Sequence, residues 1–128
     1  MDNSDPTPRG TLIVQTLAMP SDTNINGDVF GGWILSQMDI AGGILAAKRA
    51  HGRVATVHIS SMSFIRPVPV GSVVSVYVEV VKTGRTSITT EVEVWVKRFD
   101  HEPYKVTEGE FKFVAIDESG KSKPIPEA

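Results

Sequence analysis

Apolar and polar positions change period once along the chain, and that change divides it. Thr11 to Ala18 is a short apolar run that stops at Met19-Pro20, and the polar stretch after it contains Asn26-Gly27, a strong turn signal. This predicts a strand followed by a loop. From Gly32 to about Ala50 the chain is Leu, Ile, Met, Ala, Gln, Lys and Arg without proline, ending at His51-Gly52, which supplies a glycine stop. This predicts one long helix. Trp33, Ile34, Leu35, Met38, Ile40, Ile44 and Leu45 spread around its wheel, so it is expected to be covered by other structure. After Gly52 the period becomes two, in Val54 to Ile65, Val73 to Val81, Ile88 to Val96 and Val106 to Ile116, all rich in β-branched residues. The clearest run alternates Ile88, Thr90, Val92, Val94 and Val96 with Thr89, Glu91, Glu93, Trp95 and Lys97. The short breaks between these segments suggest that the last four strands are sequential antiparallel neighbours. The expected class is α+β, with one antiparallel sheet curling around a central helix.

Both ends are polar and proline-bearing. Residues 1–10 are expected to be a flexible segment, 11–118 a single domain and 119–128 a polar tail outside the core. With 128 residues, 41 % of them apolar, the chain is long enough to hold a core without metals or disulfides. It has no Cys, which excludes thiolate catalysis and cysteine-ligated metals. Thirteen Lys and Arg against fifteen Asp and Glu leave a net charge of −2, so nucleic acid is not an expected partner. The longest weakly polar stretch, Trp33 to Ala47, is interrupted by Ser36, Gln37 and Asp39 and falls short of the ~20 residues of a membrane span. The first residues lack the basic start and apolar run of a secretory signal. No membrane insertion and a cytoplasmic location are expected.

Candidate chemistry begins with Asp39. Its helical neighbours are Leu35, Ser36, Gly42, Gly43 and Ala46, and no Lys or Arg stands at i±3 or i±4 to pair with it. Helix-interior glycine costs about 1 kcal/mol relative to Ala, so Gly42 and Gly43 suggest space cleared beside the carboxylate for a ligand or backbone. The alternative is a solvated flank with glycines that allow another subunit to pack. Gly31-Gly32 at the helix start offers free N–H groups and the positive end of the helix dipole, the makings of an oxyanion site, although a glycine pair there is also ordinary turn chemistry. His51, His58 and His101 show no metal-ligand spacing, and no Ser has a GxSxG context, so no metal site and no Ser-His-Asp triad are expected. The cations, among them Arg53, Arg66 and Arg85, lie at element ends, where they are commonly solvated. The hairpin Gly84-Arg85-Thr86-Ser87 suits a phosphate-bearing ligand and equally suits a plain turn.

Several of these residues recur in a known family. Pro20-Ser-Asp-Thr-Asn24, Asn26-Gly27-Asp28, Gly31-Gly32-Trp33, Gln37-Met38-Asp39, Phe64-Ile-Arg-Pro67 with Gly71, Gly84-Arg85-Thr86-Ser87 and Val92-Glu-Val-Trp95 resemble the small bacterial YciA-type acyl-coenzyme A thioesterases of the hotdog fold, over about Leu12 to Pro126. The resemblance implies a five-stranded antiparallel sheet wrapped around one long helix. It implies two such units pairing into a double hotdog with composite active sites, and a hexamer built as a trimer of dimers. Asp39 matches the catalytic carboxylate, Asn24 an asparagine facing it, and Gly31-Gly32 the group that polarises the thioester carbonyl. Arg85, Thr86 and Ser87 are the expected coenzyme A contacts. No separate cofactor is expected, since coenzyme A is part of substrate and product.

A thiolate leaving group with a pKa near 8.5 hardly needs a general acid, so one base and one oxyanion site suffice. Asp39 would act as general base toward water or as nucleophile forming an anhydride, and either one or two subunits would supply the site. The competing readings are a hotdog module that binds acyl-CoA without hydrolysing it and a hotdog dehydratase or hydratase. The second needs a histidine beside the carboxylate, and His51 is twelve residues away at the far end of the helix.

Overall fold

The computed structural model describes residues 7–127. The elements run β1 (Thr11–Leu17), a single turn of 3-10 helix (Pro20–Asp22), α1 (Gly31–Ala50), β2 (Val54–Phe64), β3 (Val73–Thr83), β4 (Ser87–Lys97) and β5 (Tyr104–Ala115). All five strands join one antiparallel sheet in the order β1-β3-β4-β5-β2. This is the expected five-stranded sheet packed on one long helix, the hotdog architecture.

The order corrects one expectation. β3, β4 and β5 are sequential neighbours, but β2 pairs with β5 and forms the far edge. The reason lies in the connection 65–72. Its two prolines withhold N–H donors from a tight hairpin. The segment instead crosses beside the start of α1, where Val29 N–H donates to Val68 O at 2.9 Å and Asp28 bridges to Pro69. Gly71 N–H donates to Ala18 O and Ala18 N–H to Ser72 O, so this crossing and the loop entering the helix are sewn together.

The alternation read along β4 holds over its first half, whereas Glu93 and Trp95 on the other face are buried as well, with the Trp95 indole N–H donating to Glu93 at 2.9 Å. Ile88, Thr90, Val92, Val94 and Val96 are fully buried against the helix, joined by Val74, Val76 and Val78 from β3 and Phe111 and Phe113 from β5. Each such aliphatic side chain contributes about 1.5–3 kcal/mol on burial. Thr90 keeps its hydroxyl satisfied by donating to Phe111 O at 3.1 Å.

The helix is covered on one face only, which differs from the expected enclosure. Ile34, Met38, Ala41, Gly42, Ala46 and Ala50 face the sheet, whereas Ile40 and Ile44 are each 51 % exposed. A single five-stranded sheet wraps one side of a cylinder, and the remaining apolar stripe is left open beside the edge strand β2. The helix stop is also corrected. His51, not Gly52, takes the left-handed conformation (φ 55°, ψ 38°), and Gly52 N–H closes the turn on Ala47 O.

Of the segment 1–10, residues 1–6 lie outside the described residues. Arg9 is fastened to the outer sheet face: its backbone N–H donates to Glu93, and its guanidinium meets Glu79 at 3.3 Å and also Glu91. These carboxylates, Glu79 first, raise its pKa. Gly10 has φ 92°, and a Cβ there would lie 2.5 Å from Val78 O, so only glycine lets the chain approach β3 so closely. The tail does not lie apart from the core as expected. Lys123 N–H donates to Ala115 O, Ile125 N–H to Arg85 O, Arg49 donates to Pro126 O, and Ile125 packs on the core. The single apolar residue between Pro124 and Pro126 gives this polar segment its anchor.

Candidate active site

Asp39 sits half-buried on α1, two turns from its start, where helix and edge strand meet. The Thr56 hydroxyl on β2 donates to its Oδ1 at 2.6 Å. That bond engages one carboxylate oxygen and leaves Oδ2 without a hydrogen-bond partner among the described residues, and Asp39 lines an open groove with Ile40, Gly43, Ile44, Arg53, Val54 and Phe113. A carboxylate held this way, with one oxygen committed and one available, has the form of a general base.

Only one of the two glycines beside it clears space for a ligand. A Cβ on Gly42 would lie 2.9 Å from Phe113 Cζ, so this position is small because an aromatic ring of β5 packs against the helix backbone. The Phe111 ring stacks behind at a centroid distance of 6.4 Å. Gly43 lines the groove and a Cβ there would make ordinary contact at 3.7 Å.

The helix start is open. Phe30 at the cap supplies no side-chain bond, its carbonyl accepts from Trp33 and Ile34 N–H at 3.1 and 3.2 Å, and nothing stands within 4 Å of a Cβ on Gly32. The N–H groups of Gly31 and Gly32 have no acceptor among the described residues. Two unpaired N–H groups at the positive end of a helix dipole are donors for a developing negative charge. Gly31 lines a second groove with Phe64, Ile65, Arg66 and Val68, and the Arg66 guanidinium lies 4.9 Å over the Tyr104 ring.

Within one chain the two grooves share no lining residue. Gly31 and Asp39 are eight residues apart on the same helix, roughly 12 Å of rise. The structure therefore brings Asp39 to Thr56 but does not bring it to the helix start. Asn24 lines neither groove; its Oδ1 accepts from Asn26 N–H at 2.8 Å and Asp28 N–H at 3.2 Å, which shapes the loop that delivers α1. Arg85, Thr86 and Ser87 also lie outside both grooves. They close the β3–β4 hairpin, with Gly84 N–H donating to Ser87 O and Ala115 N–H to Thr86 O. The strand that follows pairs Ile88 with Phe113, so hairpin and Asp39 groove share one end of the sheet.

Thr56 and Arg53 are the site residues that sequence reasoning missed. Thr56 is one of several hydroxyl residues in β2, and only its pairing opposite Phe113 beside the helix singles it out. Arg53 reads in the sequence as one of the commonly solvated cations at element ends, whereas the structure places it on the groove. Among the described residues no group of His, Asp and Glu is arranged to hold a metal, and no helix is long and apolar enough to cross a membrane.

The pattern of the thioesterase superfamily matches residues 26–98. The chain is 55 % identical over 130 aligned positions to an acyl-CoA thioester hydrolase YciA of Salmonella typhimurium, covering 98 % of both. Among solved structures, a hexameric thioesterase from Yersinia pestis superposes with a TM-score of 0.92 at 51 % identity, covering 95 % of this chain and all of that one. A hexameric hotdog fold thioesterase of Campylobacter jejuni gives 0.86 at 41 %, covering 91 % of both chains. Fold, groove and sequence agree that the chain belongs to the thioesterase superfamily, in its YciA-type acyl-CoA thioester hydrolase branch.

Proposed function

We infer that this protein is an acyl-CoA thioesterase that hydrolyses the thioester to a carboxylic acid and coenzyme A. The observation that carries the catalytic reading is the Asp39 carboxylate, oriented by Thr56 on an open groove. Asp39 takes a proton from water, and the water oxygen attacks the carbonyl carbon. The N–H groups of Gly31 and Gly32 receive the oxyanion. The tetrahedral intermediate then collapses, the C–S bond breaks, and the thiolate leaves and takes up the proton. Asn24 acts by shaping the loop that presents these donors.

The separation of the two grooves favours a composite site. In a two-fold dimer the helix start of one subunit faces the Asp39 groove of the other, and the open stripe of Ile40, Ile44, Val57 and Ile59 supplies the apolar contact. The minimal active unit is then a dimer, and the hexameric state of the Yersinia pestis and Campylobacter jejuni relatives supports a trimer of dimers here. We propose a cytoplasmic enzyme that uses no cofactor, with its catalytic apparatus inside 11–118.

Thiol release from acyl-CoAs of short, medium and long chain tests the reaction. Turnover of at least one is expected. Tight binding without release from any of them would replace hydrolysis with the acyl-CoA-binding module.

A further inference from the structure

One cation lines the Asp39 groove, and a second, from the tail, comes close to it. Arg53 lines the groove together with Ala47, which stands eight helical residues, roughly 12 Å of rise, beyond Asp39 toward the C-terminal end of α1. Its carbonyl accepts from Ile116 N–H at 3.0 Å, which ties it to the end of β5. From there the chain turns at 117–120 and runs back: Ser122 bridges Ile116, and Lys123 N–H donates to Ala115 O at 2.9 Å. This return carries the Lys123 ammonium over Gly52, where a Cβ would come within 3.2 Å of Nζ. Arg53 therefore lines the groove, and the Lys123 ammonium lies over the residue that precedes it in the chain.

Neither has a carboxylate partner among the described residues. Two other cations show the contrast: Arg9 is paired with Glu79 and Glu91, and Lys105 with Glu93 and Glu108. The nearest acid of the turn, Asp117, is committed to Ser119 and Lys121. Cations at a helix C-terminus relieve the dipole, and Lys48 and Arg49 already occupy that place. Arg53 and Lys123 lie beyond it, uncompensated, in a chain of net charge −2.

We propose that Arg53 and Lys123 bind the phosphates of the coenzyme A portion of the substrate, and that the C-terminal strand, held by Ile125 and Arg49, serves to carry Lys123 to that position. This rests on the acyl-CoA reading above and adds residues to it. A guanidinium and an ammonium converging on a phosphate form charge-assisted bonds and hasten capture of an anionic ligand.

The test is calorimetric binding of coenzyme A to the full chain at low and moderate NaCl, for the parent, Arg53→Gln, Lys123→Gln and the double variant. Arg98→Gln, at the opposite end of the sheet, controls for bulk charge. Each single change is expected to weaken binding about three- to tenfold, the double change at least tenfold, and the double variant to lose most of the salt dependence of Kd. Arg98→Gln is expected to shift Kd less than twofold. An unchanged Kd in the double variant, or a loss equal to that of Arg98→Gln, overturns the inference. A loss specific to Arg53 and Lys123 sustains it even where no acyl-CoA releases thiol, in which case the hydrolytic reading falls alone. A folded double variant, checked by circular dichroism, with an unchanged salt slope also counts against it.

Discussion

The Thr56 hydroxyl donates a hydrogen bond to Asp39 Oδ1 at 2.6 Å, joining the edge strand to the middle of the helix at a point where a carboxylate lines a groove. Two elements distant in sequence thus set the direction of one base. Thr56→Ala frees the carboxylate to rotate. A hydrogen bond to a charged group is worth about 1.5–3 kcal/mol, and exposure reduces it, so kcat is expected to fall about tenfold with KM little changed. Thr56→Ser restores the donor and most of the rate. Equal losses in both variants would show that the hydroxyl is not what matters.

Gly31→Pro tests the oxyanion donors without unwinding the helix. Proline is favoured at the first helical position, and Phe30 before it has φ −59° and ψ 139°, a conformation a following proline accepts. The change removes one N–H and is expected to lower kcat by about 10²–10³-fold with the melting temperature nearly kept. Mixing Gly31→Pro subunits with Asp39→Asn subunits is expected to restore about a quarter of parental activity, since half the dimers are mixed and each regains one of two sites. No restoration after verified exchange would place both parts of the site on one subunit.

The adjacent glycines of α1 are expected to respond in opposite directions. Gly43→Ala gains helix propensity, up to about 1 kcal/mol, at a position with only ordinary contact, so the melting temperature rises by a few degrees. Gly42→Ala gains the same propensity but drives a methyl against the Phe113 ring, and overpacking of about 1–3 kcal/mol outweighs it. Thermal denaturation of both variants decides. Two stabilised proteins would mean the ring moves aside freely.

The turn that returns the tail depends on Asp117. Its Oδ1 accepts from the Ser119 hydroxyl at 2.7 Å, Ser119 N–H at 2.9 Å and Lys121 N–H at 3.0 Å, and the Ser119 hydroxyl leads in holding its pKa below the ordinary value. A carboxylate with a depressed folded pKa stabilises the fold fully above its unfolded value and loses that contribution as pH falls through the depressed one. Protection of the Lys123 and Ile125 amides is therefore expected to hold at neutral pH and to decline only below the usual carboxylate range. Asp117→Ala is expected to lose it at pH 7. Exchange rates corrected for intrinsic pH dependence provide the check, and unchanged rates in Asp117→Ala would contradict it.

What was legible in the sequence is what period and composition encode. Four strands follow from their period of two, β1 and the helix from composition and the residues that stop them, and Asp39 stands out because a lone carboxylate among small residues on a helix is unusual. The position of β2 was not legible, since loop length alone does not say whether Pro67 and Pro69 make a hairpin or a crossing. Gly42 was misread because a glycine clears space equally for a ligand and for a ring, and only the β5 register says which. Thr56 gains meaning from Asp39, 17 residues away in the chain, Arg53 from Ile116 and Lys123 from Ala115 and Gly52, and no local pattern marks them. The open stripe at Ile40 and Ile44 looked like core in the sequence because a helix buried by a second subunit has the same composition as one buried by its own.

The most direct measurement compares thiol release from the best acyl-CoA by the parent and by Asp39→Asn, with folding and oligomeric state confirmed for both. Asn keeps the shape and a hydrogen-bond acceptor for Thr56 but removes the base. A loss of at least about a hundredfold in kcat is expected. Equal rates in the two proteins would contradict the assignment of Asp39 as the catalytic carboxylate.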